Sequence, residues 1–423
     1  MIGVLSAYRT FDRPARLLMV NQFGINLGFY MLMPYLAGYL SGSLGLAAWT
    51  VGLVLGVRNF SQQGMFLLGG TLADRLGYKP LIVAGCVLRT AGFALLAFAD
   101  TLPALLIASG ATGLAGALFN PAVRAYLAAD AGERRVEAFA LFNVFYQGGM
   151  LAGPLVGIAL LGVDFRLTAL CAAVVFAVLT LAQLAALPQH RAHPDAARES
   201  VWRDWRAIAG NRPFVLFSVA MIGAYVLSFQ VYLALPLHAE NIVGQQNTSV
   251  LMAVVFVVYG GLSVAGQLRI TGWFSARWGR RGGLIIGVVV LAAAFVPLLL
   301  IPTADTFGTA AAIGALLACA AVLAIGAAAV FPFEMDTIVS LARERRVGTH
   351  YGFYNTVVGI GIGILVGNLG TGALAGAAHR AGLDALLWAG LCAVGVLCAT
   401  GLHLLRRAGA LDIPAPAPVS AAR

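Results

Sequence analysis

GGTLADRLGYKP, residues 69–80, is a short charged turn set between two long apolar stretches. The 48–72 stretch behind it carries Arg58 as its only charge, and the 81–99 stretch ahead of it carries Arg89 alone. A membrane-crossing helix needs about twenty mostly apolar residues, so each flank is long enough to span a bilayer. The same ruler predicts spans near 17–41, 48–72, 81–99, 103–129, 136–161 and 166–187. A second set is predicted near 214–240, 248–271, 283–302, 308–341, 347–377 and 384–405. The only long polar stretch, 188–213, lies between the sets. Its VWRDWRAIAG segment reads as a short amphipathic helix in the membrane interface, tryptophans toward lipid.

Composition agrees with that ruler. Of 423 residues, 60% are hydrophobic and 10% charged, and the mean hydropathy is +0.88. Soluble domains carry about 25% charged residues because they must cover themselves with polar atoms; lipid removes that requirement. The net charge of +10 does not point to nucleic acid, because the basic residues are not gathered on one face. They fill alternate loops instead: Arg75 and Lys79, Arg134 and Arg135, Arg191 to Arg212, Arg277 to Arg281, and Arg343 to Arg346. The opposite loops hold only Arg166 and Arg380. This positive-inside pattern predicts that both termini are cytoplasmic. Arginine outnumbers the single lysine 26 to 1, with abundant alanine and glycine, which points to a GC-rich bacterial genome; with its apolar helical spans the chain is expected in the bacterial cell (inner) membrane. The five cysteines fall inside apolar spans and read as small buried hydrophobes, not disulfides. The N-terminus is too polar for a cleavable signal peptide.

The two sets of spans repeat each other. Pro34, Arg75 and Gly77 match Pro236, Arg277 and Gly279 at an offset of 202. Pro121 matches Pro332, and ERRV at 133–136 matches ERRV at 344–347, at an offset of 211. The predicted fold class is therefore all-α and polytopic, with twelve transmembrane helices in two pseudo-symmetric six-helix bundles. The N-terminal bundle covers 1–187, the cytoplasmic linker 188–213 and the C-terminal bundle 214–423. Such parallel repeats place a substrate site between the halves at mid-depth.

The glycine, aspartate, arginine, glycine and lysine spacing of the 69–80 turn resembles the signature loop of the major facilitator superfamily. That resemblance implies a conformational latch built from Gly70, Asp74, Arg75, Gly77, Lys79 and Asp130. Asp74 would dock on the N-terminal end of span eleven, and Arg75 would pair with an acid ending span four, here Asp130. In the second half the aspartate is replaced by Ala276. Gly149, Gly153, Pro154 and Gly157 in span five are similar to the antiporter motif of drug-exporting members; glycine-driven packing is the alternative reading. The first half further resembles MdtH-type multidrug/proton antiporters of this superfamily, through VGLVLGVRNFSQQG (51–64), ADRLGYKPLIVAG (73–85) and GALFNPAVRAYL (116–127). Asn21 departs from that pattern, standing where many relatives carry an acid.

Two acids lie well inside a span, Glu334 and Asp336, and four arginines do, Arg58, Arg89, Arg124 and Arg269. An ionisable group at membrane depth is costly unless paired or wetted, which marks it as functional. Glu334 or Asp336 is expected to exchange a coupling proton, with Arg124 biasing its protonation; a static charge pair is the alternative. Being two residues apart they lie about 200° apart on a helix, so one of them faces a central cavity. Asn21, Gln22, Asn26 and Tyr30 in span one, Arg58 and Gln62 in span two, and Tyr225, Gln230 and Tyr232 in span seven are the candidate substrate-cavity lining. For Arg58 and Arg89, hydrogen bonding inside the first half is the favoured reading.

No phosphate-binding loop, metal-ligand cluster or catalytic constellation stands out, so neither a cofactor nor an enzyme activity is expected. The sequence is read as a proton-coupled exporter of amphipathic small molecules, a monomer in the bilayer that engages no nucleic acid. A dedicated exporter or flippase of one natural product, siderophore or lipid, or a small-metabolite importer, are the other transport readings.

Overall fold

The computed structural model describes residues 2–161, 164–189, 200–361 and 384–411. Among these residues there is no strand; the chain is a bundle of long helices. Among the described residues seven helical stretches are apolar and long enough to cross a membrane, two of which, Leu102–Leu160 and Gln245–Leu300, continue through a turn into a following span. Their outer faces carry bare aliphatic side chains such as Leu155, Leu181, Val257 and Leu397, the last 71% exposed. In water such a surface would aggregate, whereas in lipid it is the expected exterior. All five cysteines are free.

The repeat seen in the sequence is also a repeat of the backbone. Span one runs over Arg13–Tyr30, breaks, and resumes as Met33–Gly38 and Tyr39–Ser43. Span seven does the same, with Arg212–Phe229, a tight turn at Gln230–Tyr232 and then Ala234–Val243. Pro34 and Pro236 sit just inside the resumed segments, where a residue without an N–H cannot bond back across the break. Span two, Ala48–Leu76, turns into span three, Tyr78–Phe98, at Gly77 with φ 95°. Spans eight and nine are joined at Gly279 with φ 66° inside Gln245–Ala293. Both turns lie in the left-handed region that L side chains avoid. Pro121 and Pro332 interrupt the interiors of spans four, Leu102–Ala131, and ten, Thr309–Leu341.

Span five is Arg135–Leu161, span six Phe165–Ala186 and span twelve Asp384–Arg407; span eleven is described over Val347–Gly361. The remainder of predicted span eleven, together with Arg380, His190 and His193, lies outside the described residues. The segment between the sets contains the predicted short helix, Val201–Ala209. Its two tryptophans do not both face outward. Trp202 is exposed, but Trp205 turns inward and its indole N–H donates to Thr71 Oγ1 at 2.9 Å. An indole N–H costs free energy when buried without an acceptor, and span two supplies one.

The positive-φ turns make a direct prediction. Gly77→Ala and Gly279→Ala are each expected to destabilise the protein by about 1–2 kcal/mol, read as a lower unfolding midpoint in detergent. Gly261→Ala, at a helical position with open space around its Cβ, is expected to leave the midpoint unchanged or slightly raised.

Candidate functional site

The two sets of helices meet at the arginine-rich end. Gly70 in span two lies against Gly348 in span eleven so tightly that a Cβ on Gly70 would collide with the Gly348 carbonyl. That approach brings Asp74 onto the first turn of span eleven. Its Oδ1 accepts from Gly348 N–H at 2.9 Å, and its Oδ2 accepts from Thr349 N–H at 2.7 Å and Thr349 Oγ1 at 2.6 Å. The first N–H groups of a helix have no intrahelical acceptor and carry the positive end of its dipole. A carboxylate is well suited to both, and Asp74 is 9% exposed.

Arg75 points to an acid that the sequence reading did not single out. Its Nη2 lies 2.7 Å from Asp204 Oδ2 in the short connecting helix, and Arg346 Nη2 lies 2.9 Å from Oδ1 of the same carboxylate. One buried aspartate thus joins the first-half loop to the second-half loop. Asp130, the predicted partner of Arg75, ends span four beside the Tyr126 phenol. Lys79 stays within the first half, donating to the Leu184 carbonyl at 2.9 Å near the end of span six.

A second charge cluster closes the opposite side of this end. Asp336 Oδ1 takes Arg135 Nε at 3.1 Å and its Oδ2 takes Arg280 Nη1 at 3.4 Å. Arg135 also reaches Glu344 at 2.6 Å, and Arg280 donates to the Glu133 carbonyl at 3.0 Å. Arg135 and Arg346 occupy the same place in the two ERRV copies, and each holds an acid of another element. Arg343, Glu344 and Arg346 adopt φ of 50°, 58° and 50°. Left-handed non-glycine residues cost about 1–3 kcal/mol each, and the ion pairs to Arg135 and Asp204 offset that strain. Deeper in, Asn143 Nδ2 donates to Gln267 Oε1 at 2.7 Å, joining span five to span eight.

Glu334 has a different environment from Asp336, as their angular separation requires. It is 3% exposed. The phenols of Tyr225 and Tyr354 lie beside its carboxylate and Arg124 lies within electrostatic reach. Its Oε1 has no hydrogen-bond partner. Arg124 Nη1 donates to Asn355 Oδ1 at 3.2 Å, so the span-four arginine crosses to span eleven. Spans four, seven, ten and eleven therefore converge on one buried carboxylate. Asp336, by contrast, is an ion-paired strut.

The predicted cavity lining divides in the same way. Tyr30 stands beside Tyr146, Tyr232 and Arg58, Arg58 donates to Gln62 Oε1 at 3.0 Å, and Tyr232 reaches across to Met150 Sδ at 3.0 Å. Asn21 does not belong to this lining. It is fully buried and its Oδ1 accepts from Gln183 in span six at 2.7 Å. Asn26, which accepts from Gln22 at 3.3 Å, donates to the Tyr146 carbonyl at 2.8 Å and so ties span one to span five. Gln230 is also fully buried and bonds back to the Val226 carbonyl, filling the break in span seven. Polar spacing alone did not separate residues that repair helix breaks and join helices from residues that face a cavity.

Gly149, Gly153 and Gly157 pack span five onto span one; a Cβ at Gly153 would lie 2.7 Å from Tyr30 Cβ. Tyr35 Oη donates to the Pro154 carbonyl at 2.9 Å in the same contact. In this arrangement the motif is a first-half packing seam that positions Tyr30. Asp204, Arg135 and Arg280 are the charged residues that sequence reasoning missed. For Asp204 a signal exists: Asp204 and Ile208, one turn apart, are the buried face of the connecting helix.

Asp74→Asn keeps one acceptor oxygen but loses the charge that faces the helix end. Charge-assisted hydrogen bonds contribute about 1.5–3 kcal/mol each. The variant is expected to separate the arginine-rich ends, read as a longer distance between spin labels at positions 10 and 345. An unchanged distance distribution would show that the contact does not hold the halves together.

The family model described as Major Facilitator Superfamily matches residues 18–366. An uncharacterized MFS-type transporter of Mycobacterium tuberculosis (strain ATCC 25618 / H37Rv) is 59% identical over 404 residues, covering 96% of each chain. Multidrug resistance protein MdtH of Sodalis glossinidius is 30% identical over 387 residues, covering 91% of this chain and 92% of the relative. MdtH of Salmonella paratyphi B is 30% identical over 356 residues, covering 84% and 85%. With its broken first spans, its glycine turns and its interlocked charged end, the chain belongs to the Major Facilitator Superfamily, as a multi-pass membrane transporter of small molecules and not an enzyme.

Proposed function

We propose that this protein is a proton-coupled exporter of hydrophobic or amphipathic compounds working by alternating access in a bacterial inner membrane. The observation that carries the reading is Glu334, a buried carboxylate flanked by Tyr225, Tyr354 and Arg124 and not engaged by any ion pair among the described residues. A carboxylate this deep must be neutralised, either by a proton or by a cation. Arg124 is that cation, and it stands on the other half of the molecule. When the halves approach, Arg124 neutralises Glu334 and a proton is free to leave; when they part, a proton takes its place. Substrate and proton thereby compete for the same rearrangement without sharing a contact.

The positive-inside rule orients the arginine-rich end toward the cytoplasm, with both termini on that side. The described arrangement, closed at that end, then corresponds to the outward-facing state. Asp74, Arg75 with Asp204, and Asp336 with Arg135 act as its latch. The exporter direction rests on the first-half resemblance and on relatives named as multidrug resistance proteins.

Proteoliposome flux of a fluorescent quinolone, an amphipathic carboxylic acid, with and without an imposed pH gradient tests the assignment. Wild-type flux is expected to rise with the gradient, Glu334→Gln to become indifferent to it, and Asp336→Asn to keep the response while weakening the closed end. Gradient-driven flux that survives in Glu334→Gln would remove Glu334 as the proton carrier.

A further inference from the structure

Two arginines at mid-depth in the first half have no acidic partner among the described residues. Arg58 lies 10 residues from the start of span two and Arg89 lies 9 residues from the end of span three, about 15 Å inside the bundle at 1.5 Å per residue. Both guanidinium groups lie over the same ring, Arg58 Cζ at 4.5 Å and Arg89 Cζ at 5.7 Å from the centroid of Phe29. Arg89 also lies 5.7 Å over Phe176. Like charges, they repel one another, and the phenols beside them are Tyr30 and, for Arg89, Tyr146. Every acid between residues 13 and 186 sits at an end of a span: Asp74, Asp100, Asp130, Glu133, Glu137 and Asp164.

Their hydrogen bonding is equally incomplete. Arg58 donates to Asn59 and Gln62, but its Nε has no partner. Arg89 is 6% exposed, its Nε is also unpartnered, and it makes no side-chain hydrogen bond among the described residues. Its Nη2 converges with the Gln62 amide above Gly116. A Cβ at Gly116 would lie 3.0 Å from Gln62 Nε2 and 3.3 Å from Arg89 Nη2, so the missing side chain leaves room for both donors. A buried charge without a counter-charge is strongly unfavourable. Cation–π contacts with Phe29 and Phe176 offset part of that cost without supplying a counter-charge. The arrangement is therefore that of a cation site awaiting an anion.

We infer that Arg58 and Arg89, with Gln62, form a subsite for the acidic group of an amphipathic organic acid. The hydrophobic body of that acid then lies against Phe29 and the tyrosines Tyr30, Tyr146 and Tyr232. This rests on reading the space between the halves as the substrate path, and it narrows the substrate class from amphipathic compounds in general to those carrying a carboxylate. Arg58 is the more exposed of the pair and meets the ligand first; Arg89 is buried behind it and sets the depth.

Three probes with one aromatic body separate charge from hydrophobicity: pyrenebutyrate, its methyl ester, and a trimethylammonium analogue. Binding is read by pyrene fluorescence on the purified full chain in detergent. The acid is expected to bind about tenfold or more tightly than the ester, and the cation most weakly. Arg58→Gln and Arg89→Gln are each expected to reduce the preference for acid over ester by about tenfold, the worth of one charged hydrogen bond. Arg89→Lys is expected to retain part of that preference, and ester binding in each variant reports that it is folded. Equal affinity for acid and ester, tightest binding of the cation, no binding of the acid, or an acid preference unmoved by both glutamine variants would overturn the inference. Gradient-driven flux of pyrenebutyrate in proteoliposomes is measured alongside. Arginine-dependent binding without flux would defeat the exporter reading and leave this subsite standing; flux indifferent to both arginines would do the reverse.

Discussion

The carboxylate of Asp74 on the open end of span eleven is the contact around which the charged end is organised. It satisfies two backbone N–H groups and a hydroxyl that would otherwise be buried without acceptors, and it does so across the boundary between the two sets of helices. Gly70 and Gly348 are small because that contact requires the backbones to touch. Once they touch, Arg75 and Arg346 are brought to the same aspartate. On the far side Arg135 and Arg280 are brought to Asp336. Removing the Asp74 carboxylate would leave two backbone N–H groups at the buried helix end without their acceptors.

Low dielectric then sorts the remaining charges by depth. Near the end of the bundle, arginines pair with the buried Asp204 and Asp336, which serve as struts. Deeper, Glu334 has two phenols and the Arg124 guanidinium within electrostatic reach in place of a salt bridge. Deeper still in the first half, Arg58 and Arg89 have aromatic rings and amides. The asymmetry between the halves is thus one of sign: uncompensated positive charge in the first half, an unpaired acid in the second. Duplication supplied equivalent helices, and divergence of a few side chains gave them complementary electrostatics.

Much of the fold was legible because backbone constraints leave fixed residue types. Pro34 and Pro236 mark broken helices, and Gly77 and Gly279 mark positive-φ turns, so their constant offset reported the repeat directly. The site was less legible because a polar residue in a span has several uses. Asn21 and Gln230 looked like cavity lining but satisfy neighbouring helices. Glu334 and Asp336 were indistinguishable by sequence, and only the partners on other elements separate a strut from an unpaired acid. Asp204 went unremarked because its partners, Arg75 and Arg346, come from loops 129 and 142 residues away in sequence.

On the reading proposed above, one buried acid exchanges a proton as the halves move. The most direct measurement is substrate-evoked proton movement in wild-type proteoliposomes containing trapped pyranine, compared with empty liposomes. The account predicts that substrate entering the lumen drives protons out, so that the lumen becomes alkaline in step with substrate flux. Substrate flux with no change in lumenal pH would contradict it.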